Sequence, residues 1–148
     1  STAMGMSLHG GEWRIHASAV DESRVIEDSL SWLSGGLSKI VVKKENSTLG
    51  APMQTISVKM KGGEALSSLA KVERDSLVYV LEGGLDSRVD EDKFFHVRLR
   101  LDKLVQGRGV VSRNSNDPVA KGRFKLEVYP GQKSIEVAED LIIGLIDE

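Results

Sequence analysis

The segment VRLRL, from Val97 to Leu101, alternates apolar and basic side chains. Successive side chains of a β-strand point to opposite faces, so Arg98 and Arg100 are expected on one face and the apolar side chains on the other. Guanidinium groups bind phosphate oxygens through paired hydrogen bonds, and phosphate contacts supply sequence-independent affinity for nucleic acids. The spacing therefore predicts a strand with one face able to bind the phosphates of RNA.

Further cations extend this pattern along the chain. Residues 93 to 125 hold nine Lys and Arg residues against two acids, although the whole chain has a net charge of −2. Positive charge gathered in one region can bind a polyanion locally, even in a near-neutral protein. The candidate RNA-binding residues are Arg98, Arg100, Lys103, Arg108, Arg113, Arg123, Lys125 and Lys59.

An ordinary water-facing sheet would show a similar pattern. Lys and Arg in such a sheet keep the protein soluble and protect its edges from pairing. Lys103 could likewise pair with Asp102 and brace a turn instead of binding phosphate. In favour of RNA binding, bases could stack on three rings: His16, His96 and Tyr129. The residues alone leave both interpretations of the basic face open.

Enzymatic signatures are missing from the sequence. The chain carries no phosphate-loop, nucleophile-elbow or dinucleotide-binding motif. It has no cysteine, which excludes disulfides and thiolate metal sites. The histidines, His9, His16 and His96, lack the spacing of metal ligands. We therefore expect no metal site, no cofactor and no catalytic residue.

The acidic run from Asp90 to Asp92 is the strongest candidate for a nuclease site, because hard cations such as Mg²⁺ bind clustered carboxylates. Adjacent residues in a turn point in different directions, however, and an acidic run between a helix and a strand is usually a solvated turn. We expect such a turn here and a noncatalytic protein.

Apolar periodicity predicts the elements that would position these cations. Their order is strand, helix, two strands, two helical stretches, three strands and helix. The first helix is expected to begin after an N-cap at Asp21 and to end at Gly35 or Gly36. The last helix carries its apolar stripe after a cap at Ser134.

Two later stretches are less regular. Apolar residues at a spacing of four predict a helix over 75–89, with a break expected at Gly83 and Gly84 because glycine disfavours helix. Residues 109–112 are expected to form a hairpin with the strand that carries Phe124.

Strands that are apolar on one side and polar on the other predict an α+β fold, with a largely antiparallel sheet of about five or six strands and amphipathic helices on one face. The length of 148 residues suits one domain over 8–148, after an expression scar and disordered start at 1–7. The longest apolar run, Leu141 to Ile146, is far shorter than the roughly 20 residues that span a bilayer. We expect a cytoplasmic protein without a membrane partner.

The stretch VDEDKFFHVRLRLDKLVQGRGVV, residues 89–111, resembles the most recognisable segment of an archaeal family described as RNA-binding proteins or predicted exosome subunits. Leu104 and Val105 depart from the family, which usually has glutamine and then small residues there. The resemblance implies a fold like that of the ribosomal protein that holds 5S RNA. The matching residues are Asp90, Glu91, Asp92, Phe95, Leu101, Asp102, Lys103 and Gly107.

Taken together, the basic face and the resemblance predict a noncatalytic RNA-binding protein, accessory to RNA processing or to ribosome-related RNA. The alternative is a protein–protein interaction module, a subunit of a larger complex, that docks through its C-terminal helix or a sheet edge. A homodimer is compatible with either function.

Overall fold

The computed structural model describes residues 8–46 and 48–148, so the expected start at 1–7 lies outside the described residues. Strands and helices follow one another in a mixed order along the chain. The strands are β1 (Leu8–Ser18), β2 (Ile40–Asn46), β3 (Pro52–Lys61), β4 (Phe94–Arg100) and β5 (Val119–Leu126). The helices are α1 (Ser23–Ser34), α2 (Gly62–Leu69), α3 (Arg74–Glu82), α4 (Leu101–Leu104) and α5 (Ser134–Ile146).

The five strands form one sheet in the order β2-β3-β1-β5-β4, and every neighbouring pair is antiparallel. Helix α1 contacts β3, α2 contacts β1 and α5 contacts β5. The buried side chains of the sheet and of the helices belong to one hydrophobic core. The predicted α+β class and the largely antiparallel sheet of about five or six strands are confirmed, with five strands observed.

The core is centred on aromatic side chains of the neighbouring strands β1 and β5. Trp13 of β1 meets Phe124 of β5 edge-on, with ring centroids 5.2 Å apart. The indole Nε1 of Trp13 donates a hydrogen bond of 3.0 Å to the hydroxyl of Ser68 on α2, which fixes this helix against the sheet. Gly122 leaves the space for these rings, since a Cβ there would lie 2.6 Å from Trp13 and 2.8 Å from Phe124.

Helix α1 begins one residue later than expected. The N-cap is Glu22, whose carboxylate accepts a hydrogen bond of 3.1 Å from the backbone N–H of Arg24. Asp21 belongs instead to the turn after β1, because its N–H donates to the carbonyl of Ser18. The predicted end is correct: Gly35 closes the helix with a φ of +88°, in the left-handed region that glycine adopts without strain.

The predicted helix over 75–89 is wrong beyond Glu82. Helix α3 ends there, and Gly84 takes a φ of +79°, which breaks the helix at the glycines where a break was expected. Leu85 is nevertheless buried, although it lies in a turn. The prediction extended the helix too far because Leu85 continues the spacing of four set by Leu77 and Leu81.

The predicted hairpin of residues 109–112 is also wrong. Val111 bridges to Leu99 of β4, and Gly109 bridges to Val72. Both edges of β5 are already paired, with β1 and with β4, so no edge was free for this segment. Within the part of the chain that the structure describes, no helix has the length and apolar character to cross a membrane.

Candidate nucleic-acid interface

Basic side chains collect on the sheet face that points away from the helices. On β4, Phe95, Val97 and Leu99 are buried in the core, while Arg98 is exposed on the other side. The same alternation on the neighbouring strands brings further polar side chains to this side. We call this surface the open face; it comprises Glu12, Arg14, His16, Lys59, Lys61, Phe94, His96, Arg98, Lys121, Arg123 and Lys125.

The strand register arranges these residues in rows across the sheet. In one row, Glu12 is paired with Lys59 of β3 on one side and with Arg123 of β5 on the other. In the next row, Lys121 is paired with Arg14 of β1 and with Arg98 of β4. Because neighbouring strands lie about 4.8 Å apart, cations from four strands share one continuous surface.

Several of these cations have no carboxylate partner. Among residues 8–46 and 48–148, six of them form no ion pair: Lys59, Lys61, Arg98, Lys121, Arg123 and Lys125. Arg14 does, because its guanidinium contacts the Glu12 carboxylate at 3.2 Å. The charge of the six unpaired cations is therefore available to an anionic ligand.

Phe94 orients two cations at one end of the open face. The guanidinium carbon of Arg123 lies 3.7 Å from the centroid of the Phe94 ring, and the Lys125 ammonium lies 4.7 Å from it. Such contacts between a cation and an aromatic ring are attractive and limit the motion of long side chains. Lys125 also donates a hydrogen bond to the backbone carbonyl of Asp92.

Glu12 is the acid at the centre of the open face. Its side chain is 16 % exposed and it contributes to three shallow depressions, of about 320, 430 and 280 Å³. Lys59 and Arg123 each line two of these depressions. The depressions thus surround one carboxylate with cations, which lowers the positive potential at the middle of the face.

Arg100 and Lys103 lie at the margin of the open face, where β4 passes into α4. The Arg100 guanidinium donates to both carboxylate oxygens of Asp102, at 3.0 and 2.6 Å. This pairing raises the pKa of Arg100 and lowers the pKa of Asp102. The positive charge of Lys103 also favours the ionised Asp102 and Glu73. Arg100 is thus neutralised by Asp102, whereas Lys103 forms no ion pair within residues 8–46 and 48–148, so the expected pairing of Lys103 with Asp102 is wrong.

Arg108 and Arg113 are not brought to the open face. The Arg108 guanidinium donates two hydrogen bonds, of 2.7 and 2.8 Å, to the carboxylate of Glu73 beside the start of α3. This pairing lowers the pKa of Glu73. The guanidinium of Arg113 lies 4.3 Å from the ring centroid of Tyr79 on α3. Four of the eight predicted candidates therefore lie together on the open face: Lys59, Arg98, Arg123 and Lys125. Arg108 and Arg113 lie beside the helices.

The acidic run forms the turn before β4. One carboxylate oxygen of Asp90 accepts hydrogen bonds from the N–H groups of Asp92 and Phe94, at 2.9 and 3.0 Å. The other contacts Nε2 of His96 at 2.7 Å, and this contact is the main reason that the pKa of Asp90 is lowered. The described part of the chain contains no group of three or more acids or histidines that could hold a metal ion.

The comparisons with known proteins find similarity in structure. No family model and no curated protein matches the chain. A DUF54 protein from Methanothermobacter thermautotrophicus superimposes with a TM-score of 0.71 at 17 % identity, over 95 % of this chain and 98 % of that one. A DUF54 protein from Archaeglobus fulgidus gives 0.75 at 23 % identity, over 90 % and 99 %. The fold is that of the archaeal DUF54 proteins.

A further DUF54 protein, from Sulfolobus solfataricus, has a TM-score of 0.71 at 14 % identity, over 93 % of this chain and 97 % of its own. At these identities the similarity shows the fold alone, and a fold does not specify a ligand. The expected resemblance to an archaeal family is therefore supported at the level of the DUF54 fold.

Within this DUF54 fold, sequence analysis missed three residues of the candidate interface. Lys121 was not among the predicted candidates, although it lies on β5 in the same alternation as Arg123 and Lys125. Reading that alternation backwards through Gly122 would have found it. Phe94 and Glu12 carried no such signal, because their roles depend on which strands become neighbours.

Proposed function

We propose that this protein binds RNA noncatalytically, through phosphate contacts on the open face. The observation that carries the proposal is a group of six open-face cations on three strands, none with a carboxylate partner among the described residues: Lys59, Lys61, Arg98, Lys121, Arg123 and Lys125. Each cation that neutralises a phosphate releases counterions, which provides affinity and makes binding dependent on salt. The protein would contact the backbone and not read the base sequence.

The biological role proposed is accessory to RNA processing or to ribosome-related RNA. The resemblance of residues 89–111 to archaeal RNA-binding proteins and predicted exosome subunits agrees with this role. The segment includes Arg98, one of the unpaired cations of the open face, and Phe94, which orients two others. The segment that carries the resemblance thus contributes Phe94 and Arg98 to the surface proposed to bind RNA, and neither of them is among the residues that match the family.

Docking through the C-terminal helix has less support. Apart from Ile143, which is exposed, the apolar side chains of α5 pack against the core, where Val137, Leu141 and Leu145 are buried. The free edge of the sheet, at β2, carries Lys43 and Lys44, and lysines disfavour pairing with another strand. Neither surface offers a large apolar area to a partner.

The proposal is tested by the fluorescence anisotropy of a labelled RNA of mixed sequence at low salt. Arg98→Ala/Arg123→Ala removes two unpaired cations of the open face and is expected to weaken binding by about tenfold or more. Arg108→Ala/Arg113→Ala removes the same charge from the helix side and serves as the matched control. Equal losses in both variants, or no binding by the wild type, would contradict the proposal.

A further inference from the structure

The aromatic side chains show which form of RNA suits the open face. The chain has three Phe, two Trp and two Tyr residues, and all seven lie in the described ranges. Trp13, Phe95 and Phe124 are completely buried in the core. Proteins that bind single-stranded RNA commonly stack its bases on exposed aromatic rings. The remaining four rings therefore decide whether such stacking is available.

None of these four rings forms an uncovered platform within the open face. Phe94 is covered by Arg123 and Lys125. Tyr79 and Trp32 lie on helices, under Arg113 and Lys71 respectively. The fourth, Tyr129, is 53 % exposed but lies beyond the end of β5, outside the open face, and its hydroxyl donates to Glu127.

The two histidines of the open face do not replace these rings. His16 on β1 makes a hydrogen bond of 3.1 Å with Thr55, and His96 on β4 contacts Asp90 at 2.7 Å. Strand β5 lies between β1 and β4, so the two imidazoles are not neighbours in a row. Consecutive bases would find no continuous stack on them.

The cations, by contrast, cover a broad area. The unpaired cations extend from β3 to β4, which is about 14 Å across the strands at the usual strand spacing. A single strand of RNA would be expected to follow a narrow groove lined with rings and cations. A broad surface of cations without stacking platforms is suited to the two backbones of a duplex.

We infer that the RNA ligand of the open face is double-stranded; this inference rests on the proposed function. A duplex places more phosphates within a given length than a single strand, and each neutralised phosphate of a duplex releases more counterions. A surface that binds through phosphates alone gains most from this density. The wide and shallow minor groove of A-form RNA, bordered by phosphates, is accessible to such a surface.

The test compares the affinity of the wild type for three probes of the same sequence: an RNA duplex of about 16 base pairs, one of its strands and the corresponding DNA duplex. The RNA duplex is expected to bind about tenfold more tightly than the strand. Tyr129→Leu removes the most exposed ring near the sheet and is expected to leave both RNA affinities unchanged.

The outcomes separate this inference from the proposed function. If the single strand binds as tightly as the RNA duplex or more tightly, the inference is overturned and RNA binding remains. The same holds if Tyr129→Leu loses binding of the single strand. Tighter binding of the DNA duplex would overturn the assignment to RNA. The proposed function fails as well if no probe binds. It also fails if an acidic peptide of the same total charge displaces all three probes from the protein.

Discussion

At the scale of single residues, the charge balance of the open face depends on Glu12. Glu12 lies opposite Lys59 and Arg123 in the strand register, and its carboxylate contacts the Arg14 guanidinium at 3.2 Å. A negative charge at this position repels phosphates and engages a cation that could otherwise bind them. Glu12 thus limits the affinity of the surface for any polyanion.

Glu12→Gln is expected to tighten RNA binding by about twofold to fivefold at low salt, because one like charge is removed and Arg14 is released. The affinity is measured by anisotropy, with Asp140→Asn on α5 as a control of equal charge change. Weaker binding in Glu12→Gln would mean that the carboxylate itself contacts the ligand.

At the scale of elements, alternation was enough to predict most strands and the residues that each strand presents to water. The faces of β3 and β4 follow directly from their period of two, which is why Lys59 and Arg98 could be placed on the candidate site. Arg108 and Arg113 could not be placed, because their segment has no regular period and its position depends on distant contacts with Glu73 and Tyr79.

Two glycines are expected to respond to alanine in opposite directions. Gly122→Ala would place a Cβ against the Trp13 and Phe124 rings and is expected to lower the free energy of unfolding by about 1–3 kcal/mol. Gly63→Ala on α2 meets no atom within 4 Å and should raise it by about 0.5–1 kcal/mol. Urea unfolding measures both; a destabilising Gly63→Ala or a neutral Gly122→Ala would contradict the packing described.

The turn before β4 is expected to make stability depend on pH. Asp90 has a folded pKa below its ordinary value of 3.8, so its stabilising effect is present above that pH and is lost as the pH falls through the folded pKa. Asp90→Asn should therefore destabilise the protein at neutral pH, and the difference from wild type should shrink below about pH 4. Urea unfolding across this pH range would contradict the account if the difference stayed constant.

At the scale of the whole molecule, charge is separated along the chain. Residues 93 to 125 carry a net charge of +7 and the rest of the chain −9, which gives the total of −2. A polyanion approaching such a protein is steered towards its basic side. The sequence predicted this asymmetry, but only the antiparallel order of the sheet adds Lys59, from far outside the basic segment, to the same surface.

The most direct test of RNA binding through the open face is the dependence of affinity on salt. For wild type, log affinity should fall linearly with log salt concentration, and the slope of Arg98→Ala/Arg123→Ala should be shallower by about 1.4–1.8, as expected for two lost phosphate contacts. The slope of Arg108→Ala/Arg113→Ala should equal that of wild type. Equal slopes for the wild type and the open-face variant would contradict the central claim.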